Sequence, residues 1–460
     1  MKRTFPKTLC LFILGLFALP LFAQQPTPTP APAAAAPAAK PAQPVLTHVN
    51  KHLPAWLRFS GEYRMRLEGF DGGSFKADTR DAYDLSRLRL NMRVAPASWM
   101  RFNFQVQDSQ VFGKNAKPDA APFENTMDLR QANVEFGKAE TPSVLLKVGR
   151  QEMFFGEQRL IGHLNWTNTA RSFDAARLTL QHKKVKVDLF SASVVNFREE
   201  SATNPYRWDK SQGGNILHGA YGAITKVVPN GGVIEPYVLW RLSRGTRTET
   251  GLPGKTDRVV FGARFAGKMG KTWDYSIEEV GQTGSVGSDD ITAMASHATL
   301  GYTITALKKK PRLVAEYNYA SGDKTPGDGK QQTFDQLYPT GHDKLGLSDQ
   351  VGWKNIHDIR TGIEYKWTSK LTLTGFYHNW WLASKKDALY NAAGAAVVKV
   401  AAGTAGSHVG QEASAQMTYA LNATTSIAAG YANIFPGEFL KKATPGKQYR
   451  LPYVMFTYSF

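Results

Sequence analysis

Leu451-Pro-Tyr-Val-Met-Phe-Thr-Tyr-Ser-Phe460 ends the chain. Side chains alternate sides along a strand, so Val454, Phe456, Tyr458 and Phe460 share one face. In a soluble protein such a strand would be an open apolar edge, prone to aggregation. A strand that closes a sheet inside a membrane has a use for the same pattern. One side meets lipid, the other water, and its edge pairs with the first strand.

The opposite end repeats the pattern. Leu57, Phe59, Tyr63, Met65 and Leu67 alternate with Arg58, Ser60, Glu62, Arg64, Arg66 and Glu68. Leu88, Leu90, Met92 and Val94 alternate with Arg87, Arg89, Asn91 and Arg93. Met100, Phe102, Phe104 and Val106 alternate with Arg101, Asn103, Gln105 and Gln107. This is period two without a helical stripe, over segments near the length of a tilted membrane strand. The interior of a small soluble barrel is filled with apolar side chains, whereas a water-filled lumen accommodates several arginines per strand.

Continuing the count gives 18 strand-like segments between residues 56 and 460, the even number that single-chain bacterial barrels use, with 16 as the alternative. One of them is expected at 143–154. Short links such as 94–99 and 367–371 suit periplasmic turns. Polar stretches at 107–127, 196–214, 244–256, 320–355 and 383–407 suit extracellular loops, and the Ala/Gly-rich 389–406 reads as mobile. The expected fold class is therefore all-β, a transmembrane antiparallel β-barrel over residues 55–460.

Lys2, Arg3 and Lys7 precede an apolar run from Leu9 to Phe22, then Ala23. That is the pattern of a secretory signal peptide over residues 1–23. Residues 24–54 are rich in Pro, Ala and Thr and read as a flexible tether. The single cysteine, Cys10, lies in the leader, which excludes disulfides, thiolate nucleophiles and Cys-based metal sites from the mature chain. The formal charge is +18, three of it from the leader. With no nucleic-acid motif in an exported chain, this excess points to a basic lumen instead of a nucleic-acid partner.

The densest polar stretch is Gly149-Arg-Gln-Glu-Met-Phe-Phe-Gly-Glu-Gln-Arg-Leu-Ile-Gly162, followed by Asn165-Trp-Thr-Asn-Thr-Ala-Arg-Ser-Phe-Asp174 and Arg177. Here the chain resembles the alginate-export family of outer-membrane porins. Ala315-Glu-Tyr-Asn-Tyr-Ala-Ser-Gly-Asp323 and Phe334-Asp-Gln-Leu-Tyr-Pro-Thr-Gly-His342 extend the resemblance. It implies a monomeric 18-stranded barrel with an electropositive pore that passes an anionic polysaccharide or oligosaccharide through outer-membrane lipid. The Pro/Ala tether departs from the family pattern and could reach a periplasmic scaffold.

Arginine matches a carboxylate bidentately, and many weak sites permit movement where one tight site would block it. Strand parity nominates Arg58, Arg64, Arg66, Arg87, Arg89, Arg93 and Arg101 as pore-lining. The motif adds Arg150, Gln151, Gln158, Arg159, Arg171 and Arg177, with Glu152 and Asp174 as pairing acids. Arg150 shares parity with the apolar Val148, so its face is ambiguous without a bulge. Any one of these arginines could instead hold adjacent strands together. On the first three strands, however, arginines outnumber acids.

Trp380, Trp381, Tyr377, Tyr453 and Tyr458 read as interface-belt residues, and Trp166 as the aromatic to test for sugar stacking. No histidine pair has metal-ligand spacing. The only candidate for a bound ion is calcium at Asp289, Asp290, Asp323 and Asp328 in expected external loops. An enzyme is not expected. No Ser-His arrangement falls at one depth, and Glu278 and Glu279 point to opposite faces. The remaining rival is an anion- or sugar-uptake porin of other specificity.

Overall fold

The computed structural model describes residues 45–115, 121–138, 143–197, 209–211 and 213–460. The signal peptide and most of the Pro/Ala stretch lie outside them. Twenty strands join one sheet, and two of these are two-residue appendages at Lys210–Ser211 and Lys330–Gln331. The remaining 18 form the wall.

In chain order these are β1 Leu57–Asp71, β2 Arg80–Ala97, β3 Met100–Phe112, β4 Asn125–Phe136, β5 Val144–Gln151 and β6 Phe173–His182. Next come β7 Val185–Asn196, β8 Asn215–Val228, β9 Gly232–Arg247, β10 Pro253–Met269, β11 Trp273–Val286 and β12 Asp289–Thr303. The last six are β13 Arg312–Ala320, β14 Ile356–Lys366, β15 Leu371–Leu382, β16 His408–Ala420, β17 Thr425–Pro436 and β18 Tyr449–Ser459.

Each wall strand pairs antiparallel with its neighbours, and β18 closes against β1 from Glu62↔Ser459 to Asp71↔Arg450. Gly61 and Phe460 complete the seam with reciprocal backbone hydrogen bonds of 2.7 and 2.9 Å. A Cβ on Gly61 would stand 2.4 Å from the Phe460 ring and 2.9 Å from the Arg89 carbonyl, so glycine lets the last aromatic fold over the first strand. Closure matters because an unpaired backbone edge cannot exist in hydrocarbon.

Alternation sorts the side chains as expected. Met65, Leu67, Leu88, Leu90, Val238, Phe261, Met294 and Val454 are exposed on the outer wall. Arg64, Arg66, Arg87 and Arg89 are buried on the inner one. Trp99–Phe136, Trp273–Tyr302, Tyr365–Trp367 and Tyr458–Phe460 ring pairs mark the end with short turns, an aromatic girdle at one membrane interface.

Several expectations need correction. Trp380 is fully buried in the lumen, because two adjacent tryptophans cannot share a face, and Tyr453 is nearly so, because it alternates with the outward Val454. The strand expected at 143–154 ends at Gln151, and the chain then turns inward. Residues expected as tether include α1, Val45–His52, anchored where Asn50 exchanges hydrogen bonds with the Phe59 backbone. The stretch expected as a mobile 389–406 loop carries a hairpin, Ala388–Tyr390 with Ala396–Lys399, and Leu389 is fully buried.

The calcium seat does not form among the described residues, where no group of three His, Cys, Asp or Glu could hold a metal ion. Asp289 and Asp323 instead accept backbone N–H bonds from Glu249 and Thr325.

Candidate functional site: a lumen crossed by two inward loops

Two long connections on the extracellular side fold into the barrel. The first, residues 152–172, contains the polar motif. The second, residues 321–355, joins β13 to β14. Each carries apolar residues at its turn, and these bury together: Met153, Leu160, Ile161, Phe334, Leu345, Leu347, Val351 and Trp353 form one cluster with the inner wall. Removing that much apolar surface from water offsets the entropy of ordering two long loops.

The loops bond to each other across the lumen. Ile161 and Tyr338 form a parallel bridge. Gly162 donates to the Tyr338 carbonyl at 2.8 Å, Tyr338 to that of Leu160 at 2.9 Å, and Thr340 to that of Gln158 at 2.9 Å. The Gln158 side chain accepts from the Thr340 hydroxyl at 2.7 Å. Gln158 is therefore a junction residue.

The arginines nominated on β1 and β2 hold the first loop by its backbone. Arg64 donates to the carbonyls of Asn165 and Thr167 at 2.9 and 3.1 Å. Arg66 donates to that of Trp166 at 2.7 Å and lies 3.8 Å over the Trp166 ring. Arg87 reaches the carbonyls of Asn165 and Thr167, and Arg89 the Asn165 side chain at 2.7 Å. Gln107 and Ser109 on β3 take the next two carbonyls, Thr169 and Asn168. Segment 165–169 is thus cradled by wall donors.

Charge balance follows from this geometry. Arg64 makes no ion pair among the described residues, Arg66 pairs with Glu68 at 2.9 Å, and Arg87 and Arg89 share Glu62 at 2.6 and 3.9 Å. Four arginines thus divide two carboxylates, and most of their donors meet neutral carbonyls. Arg64 Nε, Arg87 Nε and a terminal nitrogen of Arg89 are buried with no hydrogen-bond partner among the described residues.

The second loop is fixed through Asp335. Its carboxylate takes Arg241 at 2.6 Å and also Arg258, while its backbone exchanges hydrogen bonds with the Gln282 side chain. Arg159, at the tip of the first loop, reaches the opposite wall, pairing with Glu316 at 2.9 Å beside His297. Arg171 donates to the carbonyls of Gly162 and Pro339, joining both loops, and burial pushes its guanidinium down to about 10. It remains a cation at neutral pH.

The other nominated residues separate. Arg101 pairs with Glu135 at 2.9 Å, and Arg177 with Asp188 at 2.9 Å; both face the lumen on the periplasmic side of the loops. Arg93 is exposed at the periplasmic mouth beside its register partner Arg58. Arg150 and Asp174 do not line the lumen. They are register partners on the outward face, with Val148 and Ala176 below them, and they form a 2.9 Å ion pair at the extracellular end of the wall. Gln151 is buried against the Ala175 carbonyl and lines nothing. Glu152 bonds to Arg130.

Sequence parity missed Arg130, Arg241 and Arg258. Arg241 sits between the apolar Trp240 and Leu242 as the nominated arginines do, whereas Arg258 follows Asp257 and carries a weaker signal. Asp335 carried no such signal, because its role depends on where the loop lands.

A closed 18-stranded antiparallel barrel with short turns at one end, long loops at the other and a polar lumen narrowed by inward loops is the architecture of an outer-membrane porin. The chain belongs to the alginate-export family, which it matches over residues 55–454. No curated protein matches it.

Solved structures share the fold. Pseudomonas aeruginosa OpdO is 13% identical with a TM-score of 0.57, covering 89% of this chain and 99% of that one. P. aeruginosa OccD3 (OpdP) is 12% identical with a TM-score of 0.57, covering 89% and 92%. Acinetobacter baumannii OccAB2 is 12% identical with a TM-score of 0.56, covering 87% and 98%. The protein is a barrel of the bacterial outer membrane.

Proposed function

We propose that this porin, acting as a monomer, conducts an anionic polysaccharide or oligosaccharide of the alginate type across the outer membrane. The observation that carries the proposal is the ladder Arg64, Arg66, Arg87 and Arg89 beside the constriction, where two carboxylates serve four guanidinium groups. In a narrow, low-dielectric lumen the uncompensated charge attracts anions and repels cations. A uronate chain offers about one carboxylate per sugar, and arginine offers each one a planar, bidentate partner. Arg93 and Arg58 at the periplasmic mouth, and Arg101 and Arg177 above them, extend the basic track.

This is a conduit and not a catalyst. It works through many weak contacts in sequence. The N-terminal Pro/Ala stretch is proposed as a reach toward a periplasmic scaffold.

The test is ion selectivity in planar bilayers, followed by current block with alginate, polygalacturonate, simple anions and neutral sugars. Anion selectivity with block by the polyuronates supports the proposal, and Arg87→Glu with Arg89→Glu should reduce or invert the selectivity. Cation selectivity of the unmodified channel overturns it. Block by neutral sugars alone would favour a sugar-uptake porin.

A further inference from the structure

The outer wall is not uniformly convex. Across β5 to β9 it bears an apolar depression of about 490 Å³. Its floor is built of small side chains, Ala176, Ser191 and Ala220, and its sides of Leu178, Leu189 and Val238. These residues occupy two adjacent cross-strand rows: Ala176↔Ser191↔His218↔Trp240, and Leu178↔Leu189↔Ala220↔Val238. The depression therefore lies on the lipid-facing side of a wall embedded in hydrocarbon.

Above it, toward the extracellular end, Trp240 donates its indole N–H to Asp257 at 2.7 Å, an arrangement that suits the membrane–water interface. Further up, four residues beyond Trp240 on β9 and two residues beyond Asp257 on β10, Arg244 and Lys255 are exposed register partners. Like charges directly opposite on one face of an antiparallel pair repel. Neither forms an ion pair with a described residue, and the nearby Asp257 is engaged by Trp240. A basic pair at headgroup height, an interfacial tryptophan and a small-residue hollow beneath it are thus aligned along one stripe of wall.

We propose that this stripe is a binding seat for a phosphorylated acyl lipid of the extracellular leaflet. A phosphate would bridge Arg244 and Lys255, removing their mutual repulsion, while an acyl chain lies in the hollow past Trp240. Charge complementarity selects the anionic headgroup, and the small floor residues give the chain room that a convex wall lacks.

The experiment is native mass spectrometry of the full-length protein released from detergent. The probes are bisphosphorylated lipid A, the same glycolipid with its phosphates removed, and inorganic phosphate. The wild-type protein should retain one bisphosphorylated lipid per barrel, at least tenfold more than the dephosphorylated form. R244Q with K255Q should cut retention at least tenfold, and so should Ala220→Phe, which fills the hollow; heat-modifiable migration on gels controls for folding. Equal retention of both glycolipids by the wild type overturns the proposal, and this arm needs no variant. Unchanged retention in the folded double variant, inorganic phosphate bound as well as the lipid, or a lipid-free dimer across this face would also overturn it.

Discussion

Trp166 and His342 stack face to face, their ring centroids 3.7 Å apart and their planes 4° from parallel. Arg66 covers the other side of the same indole at 3.8 Å, and Tyr453 meets its edge at 5.0 Å. The first inward loop is thus pinned between the wall and the second loop by one aromatic ring. His342 is itself held by Asp349 at 3.0 Å.

Removing that ring should loosen the constriction without unfolding the wall. An aromatic pair contributes about 0.5–1.5 kcal/mol beyond area burial and a cation–π contact about 0.5–2 kcal/mol. Trp166→Ala is expected to shift the closed–open balance of the loops by roughly one to two orders of magnitude. Single-channel recording should show longer or larger openings, with normal heat-modifiable migration. Unchanged conductance would mean that the loops are held elsewhere.

Asp335→Asn removes the carboxylate shared by Arg241 and Arg258. Asp335 and Arg241 are only partly buried, so the lost pairing costs less than that of a fully buried ion pair, but it uncovers two guanidinium groups inside the lumen. The expected result is a larger conductance together with stronger anion preference, read from the reversal potential in a salt gradient. Greater conductance with weaker anion preference would mean that these two arginines do not face the ion path.

The seam offers a test of assembly. Gly61→Val places a side chain where the Phe460 ring lies, and deletion of Phe460 removes two backbone hydrogen bonds of the closing strand. Both changes should lower the folded, heat-modifiable fraction in outer membranes severalfold. The barrels that do assemble should keep wild-type ion selectivity, because neither residue faces the lumen.

Lys354 gives a pH dependence. It lies in the second loop over the Tyr390 ring at 4.3 Å, and burial pushes its ammonium down to about 8. Its unfolded value is about 10.4. Below pH 8 the lysine is charged in both the docked and the released loop, and the docked state carries the desolvation cost. Between about pH 8 and 10.4 the released loop binds more protons, so docking strengthens as pH rises through that window. Hydrogen exchange of residues 350–355 should slow, beyond the intrinsic rate correction, from pH 7.5 to pH 9.5. Lys354→Met should abolish the difference.

Much of the wall was legible in sequence because its signal is local. A membrane strand must place apolar side chains outward at every second position, so Leu57–Asp71 and Tyr449–Ser459 declared both their secondary structure and their faces. The same parity placed Arg64, Arg66, Arg87, Arg89 and Arg101 inside. For Arg150 it left the face ambiguous, since Arg150 shares parity with Val148, and the structure places both outward. Parity applied to Trp380 and Trp381 likewise leaves room for only one of them on the lipid side.

What the inner arginines touch was not legible. The motif at 149–174 reads as a polar turn, and nothing local says that its carbonyls will seat on Arg64 and Arg87, or that Ile161 will pair with Tyr338. Those contacts join segments far apart in the chain, and only barrel closure brings them to one depth. The sequence by itself determined a strand-built wall with an apolar outside and a polar, arginine-bearing inside, because alternation is a property of each strand. The tertiary structure alone decided that two loops cross the lumen, and that most of the arginine ladder is engaged in holding one of them.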